Sequence, residues 1–151
     1  MRAVELALGV AVGGSAVAQT PEVRPGQPGW TRTDRGCHVW NAVPQPGMTA
    51  SWTGACQNGR APGPGTKVWR YDGKTMRYDG GMRDGKMHGR GTLVEASGPR
   101  YDGEWRDGVA DGIGAHYHAD SGETLNGLWR KGCFRDGDRR AAVGVPLSSC
   151  R

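Results

Sequence analysis

The chain of 151 residues holds a single phenylalanine, and hydrophobic residues make up only 36% of it. With 27 glycines that bring no side chain to a core, a thick two-layer sandwich is not expected. Beyond Met1 to Ala18 no segment is apolar enough to cross a membrane. The four cysteines lack a CxxC or a paired Cys/His spacing, so zinc is only the second reading for them. No nucleophile stands out either, because Ser97, Ser121, Ser148 and Ser149 fall in turns or the tail without a glycine elbow. The carboxylates mostly sit in Asp-Gly pairs, where they serve turn geometry, and neither a glycosidase pair nor a calcium-loop spacing is present. Gly89-Arg90-Gly91 lies inside a hairpin pattern, not at the opening of a helix. Neither catalysis nor a cofactor is therefore expected.

What is there is a repeat. Tyr101 to Gly114, YDGEWRDGVADGIG, reads aromatic, x, Gly, x, Trp, two residues, Gly, three residues, Gly, x, Gly. Tyr78, Gly80, Met82, Gly85, Gly89 and Gly91 keep that spacing, and so do Trp52, Gly54, Cys56, Gly59, Gly63 and Gly65. A fourth copy, Leu125, Gly127, Trp129 and Gly132, loses the closing glycines to Asp136 and Asp138. Starts at 52, 78, 101 and 125 put the copies 26, 23 and 24 residues apart. Such a period implies a repeat architecture with an atypical, capping last copy.

Each copy places Asn58-Gly59, Asp84-Gly85, Asp107-Gly108 or Lys131-Gly132 between short extended runs. A type I′ turn needs positive φ at both central residues, which these pairs accept, so each copy reads as a β-hairpin. A two-residue loop at Asp107-Gly108 sets Trp105 against Ala110, Gly103 against Gly112 and Tyr101 against Gly114. Alternation then puts Tyr101, Gly103, Trp105, Ala110, Gly112 and Gly114 on one face, where rings can lie across bare Cα positions. Asp72-Gly73 makes a further hairpin that brings Trp69, Tyr71, Met76 and Tyr78 to the same face. Ala96 to Pro99 and Ala119 to Gly122 turn the chain between later copies. The fold class expected is all-β: a single-layer, elongated antiparallel meander of successive hairpins.

This pattern resembles the MORN repeat family over about Trp52 to Gly137. Met82 and Cys56 depart from it by replacing the second aromatic in two copies. Cys37-His38-Val39-Trp40-Asn41 followed by Trp52 to Gly59 resembles the opening of secreted bacterial members. Elsewhere such repeats are associated with protein assembly and with acidic phospholipids, and the resemblance implies both possibilities.

Met1 to Ala18 has the shape of a cleaved secretory signal, ending Ala16-Val17-Ala18. Residues 19–36, rich in proline and glycine, read as a flexible leader, and 37–151 as the repeat domain. An exported chain would be periplasmic or secreted, where cysteines pair. Four cysteines allow three pairings, which sequence alone leaves open. The expected one joins Cys37 to Cys56 and Cys133 to Cys150, closing a short loop at each end of the meander.

The net charge of +5 is unevenly spread. Eight basic residues lie between Arg60 and Arg90, six acidic ones between Tyr101 and Glu123. The hairpin register gathers Arg60, Arg70, Arg77, Arg83, Lys86 and Arg90 on the face away from the aromatics. That stripe is a candidate site for an acidic lipid or anionic glycan, set against the plain reading of a solvated face; no nucleic-acid partner is expected. Trp69, Tyr71, Tyr78, Tyr101, Trp105 and Trp129 form ring rows that either receive a partner or make the repeat's own core. His116 and His118, near Asp120 and Glu123, are a weak candidate metal pair, since other copies carry Lys67 and Trp69 or Leu93 and Glu95 there. The function expected is a non-enzymatic binding or scaffold module of the bacterial envelope with a protein partner. Strand edges also leave room for a homodimer.

Overall fold

A computed structural model describes residues 29–151. The expected signal and most of the expected leader lie outside the described residues. The leader's last part does not stay loose: Gly29–Arg32 forms strand β1, paired with β2 (His38–Asn41) from Gly29↔Asn41 to Arg32↔His38. Trp30 explains this, since its ring packs edge-to-face on Trp40 at 5.3 Å between centroids.

The body is one seven-stranded antiparallel sheet in sequence order, as the hairpin pattern implies. Its strands are β3 (Thr49–Trp52), β4 (Gly63–Tyr71), β5 (Lys74–Arg83), β6 (Lys86–Val94), β7 (Arg100–Arg106), β8 (Val109–Tyr117) and β9 (Thr124–Trp129). Two more strands, β10 (Cys133–Asp136) and β11 (Arg139–Ala142), pair as a separate terminal hairpin. Asn58, Asp72, Asp84, Asp107 and Lys131 all have φ near +50°, each followed by a positive-φ glycine, so the five turns have the expected handedness.

The register departs from a plain ladder. Trp105↔Ala110 pairs as expected, but Gly103 faces Gly114 and Tyr101 faces His116. Glu104 therefore stands opposite three residues, Asp111 to Ile113, and Gly81 likewise stands opposite His88 to Arg90. These wide bulges take Gly89 to φ +76° and Gly112 to φ +116°, which is why the motif calls for glycine there. The shift is by two residues, so side-chain alternation survives. Tyr101 and Tyr78 then cross the bulges: their hydroxyls donate to the carbonyls of Glu104 (3.0 Å) and Gly81 (2.7 Å).

The stacked turns are also tied together. Gly85, Gly108 and Gly132 each donate an N–H to the preceding copy, to the carbonyls of Ala61, Met87 and Ala110. Both disulfides form as expected, Cys37–Cys56 and Cys133–Cys150, with Cα separations of 5.7 and 5.5 Å. Val39 and Cys37 from the N-terminal end, and Phe134, Ala141 and Val143 from the C-terminal end, join the ring face in one buried cluster. Phe134 lies against the open Cα of Gly127, supplying the ring that Leu125 withholds in the fourth copy.

Candidate functional site

The repeat rings are core. Tyr78, Tyr101, Trp105 and Trp129 are at most 2% exposed, and Trp69 is 4% exposed. They interlock edge-to-face along the sheet: Tyr78 on Trp105 at 5.4 Å, Trp105 on Tyr101 at 5.0 Å, Tyr101 on Trp129 at 5.1 Å. A Cβ on Gly103 would come within 2.7 Å of the Tyr101 hydroxyl, and one on Gly91 within 2.5 Å of the Tyr78 ring. Trp105 and Trp129 spend their indole N–H groups on Gly91 and Gly114 carbonyls. Four of the six rings proposed from sequence as a binding face are thus committed within the molecule. The reason is that the segments around Cys37 to Val39 and Phe134 to Val143 pack into the same cluster, which repeat spacing does not reveal.

Between those two ends the face stays open. A groove of about 280 Å³ has Met76, Met87 and Leu93 in its floor together with Trp69, while Tyr71 stands at one side. One wall is the arm from Trp40 to Met48, and the other is Ala142 to Val145 of the C-terminal segment. Each wall is placed by the turn stack: Trp40 donates its N–H to the Gly85 carbonyl, and Ala110 donates to the Val143 carbonyl. The lining is mostly apolar, and its three methionines, Met48, Met76 and Met87, give it an adaptable surface. Two of the expected binding rings, Trp69 and Tyr71, therefore do reach a cleft.

Two polar features stand in this lining. Trp69 is the one repeat-face tryptophan whose indole N–H finds no acceptor among the described residues. Glu95 is half-buried and forms neither a salt bridge nor a side-chain hydrogen bond among the described residues. Burial raises its carboxyl pKa, with His118 pulling the other way. It is the single charged residue of the lining.

Lys67 lies beneath Trp69, fully buried, with Nζ 3.9 Å from that ring's centroid and donating to the Trp40 carbonyl at 3.3 Å. Burial holds its amine well below the usual lysine range. It ties the N-terminal arm to the sheet. Sequence reasoning assigned no role to Lys67, Glu95 or the arm. The available signal was their position, since Lys67 and Leu93 occupy the slot of His116, and Glu95 that of His118.

Among the described residues the two histidines gain no third ligand. His116 is buried, its ring 4.5 Å from that of His118, and its Nδ1 has no partner among the described residues. Burial, aided by His118, pushes its pKa down to about 4. Glu123 is taken by Arg139 at 3.2 Å, and no group of three metal-ligating residues forms among the described residues.

The basic stripe is partly neutralised. Arg77 pairs with Asp79 at 2.6 Å and Arg83 with Asp107 at 3.2 Å, all well exposed. Lys86 lies over the Trp40 ring at 4.8 Å. Arg70 and Arg90 are exposed without a salt bridge among the described residues.

A sheet of glycine-turn hairpins with rings lying across paired glycines defines a hairpin-repeat protein. Residues 78–99 and 101–122 match the family model of the MORN repeat. The chain carries two MORN repeats there. A search of curated proteins finds no match.

Proposed function

We propose that this chain is a non-catalytic binding module of the bacterial envelope that holds a protein partner in the groove between its two disulfide-tied ends. The observation that carries this reading is the groove itself, an apolar opening beside the buried repeat rings. Mostly apolar clefts with few polar groups are where partners and ligands bind. The paired cysteines fit an oxidising compartment, and the N-terminal signal pattern fits export to it. Binding of an anionic lipid or glycan by the stripe is the weaker reading, because Arg77 and Arg83 already have carboxylate partners. A homodimer through the strand edges has no specific observation behind it.

A photo-reactive residue placed at Val43 or at Ile113 tests the groove in expressing cells. Both sites are open, 59% and 60% exposed, but Val43 lines the groove and Ile113 does not. A discrete protein adduct at Val43 and none at Ile113 is the expected result. Adducts at Ile113 alone would move the interface off the groove.

A further inference from the structure

Glu95 gives the groove a charge preference. A carboxylate that is half withdrawn from water keeps part of its solvation cost until a cation or a strong donor meets it. Here the lining near it is Leu93, two residues before it, and Met76, beside the Arg77 that pairs with Val94; His118 is close enough to act on its carboxyl, and the described residues offer it no salt bridge. The nearby lysines are otherwise placed: Lys67 lies beneath Trp69, Lys86 over Trp40, and Lys74 at 5.8 Å from the centroid of Tyr71. The oxygens of Glu95 are not among the buried side-chain atoms left without a partner, so a ligand can reach them. An extended peptide carries both complements, apolar side chains and a basic side chain. An anionic amphiphile would place its charge against the one carboxylate of the lining.

We propose that the groove takes an extended segment of a protein partner, with apolar side chains on Met76 and Leu93 and a lysine or arginine against the Glu95 carboxylate. The proposal rests on the reading of the groove as the binding site and adds the chemistry of what enters it. A charge-assisted contact of this kind is worth roughly 1.5–3 kcal/mol, which corresponds to about tenfold or more in affinity.

The test uses two blocked peptides, acetyl-Leu-Gly-Leu-Gly-Lys-amide, whose alternate side chains share one face, and its twin with glutamate in place of lysine, titrated into the oxidised protein and followed by NMR. The lysine peptide is expected to shift the Met76, Met87 and Leu93 methyl signals and to bind about tenfold more tightly than its twin. Glu95→Gln should bring the two peptides within about twofold, and Glu95→Lys should reverse their order. Equal binding of both peptides, or a lysine preference that survives in both variants, overturns the charge selection while leaving the groove a binding site. Absence of any groove shift at millimolar peptide overturns this proposal and counts against the groove reading as well. If one variant fails to fold, the other still decides.

Discussion

At the residue scale, the glycines and tyrosines of the motif are two halves of one contact. A methyl group on Gly114 would run into the Tyr101 ring and hydroxyl. Gly114→Ala is expected to cost about 2 kcal/mol, read as a lowered urea midpoint with unchanged slope. Tyr101→Phe, which removes only the hydrogen bond to Glu104, should cost about 1 kcal/mol. Equal stability of Gly114→Ala and the parent would contradict the packing described. His116 gives a pH dependence. Its folded pKa is about 4 against an ordinary 6.5, so between those values the unfolded chain binds more protons. Its contribution is fully present above pH 6.5 and is lost as the pH falls towards 4. His116→Leu, which copies the residue at the matching position Leu93, should flatten urea midpoints across that window. An unchanged slope would show that His116 is not held neutral. The rings and glycines were legible because their period is regular. Lys67, Glu95 and His116 were not, because that slot accepts several side chains and its burial depends on distant segments.

At the element scale, the turn pairs were readable in full, since positive φ at two successive residues restricts the choice of side chain. The bulges were not. Loop length sets the register only beside the turn, and Gly112 looks the same in sequence whether it faces Gly103 or leaves the ladder. The end hairpins depend on the disulfides, which close loops with sequence separations of 19 and 17 residues. Replacing either pair by serine should lower stability by about 3 kcal/mol. Hydrogen exchange should then rise first in β1–β2 for the Cys37/Cys56 pair and in β10–β11 for the Cys133/Cys150 pair. Uniform acceleration across all strands would mean that the ends are not separate supports.

At the scale of the whole molecule, sequence periodicity fixes a sheet with a ring face but not what covers it. The arm from Trp40 to Met48 and the segment from Ala142 to Val145 carry no repeat, so nothing in the pattern tells that they wall a groove between them. The open part of the ring face is therefore a cleft of methionine, leucine and one carboxylate, not the ring rows themselves. Export is open to intact-mass measurement on protein from an expressing bacterium. Loss of residues 1–18 with no free thiol before reduction is the expected result, and a full-length chain with four free thiols would place it elsewhere.

The most direct test of buried repeat rings beside an open groove is hydroxyl-radical footprinting of the oxidised protein, read by mass spectrometry. Met48, Met76 and Tyr71 are expected to label readily, while Tyr78, Tyr101, Trp105 and Trp129 stay protected until the chain is unfolded. Rapid labelling of Tyr101 and Trp105 in the folded protein would contradict this, and would return the ring rows to the surface.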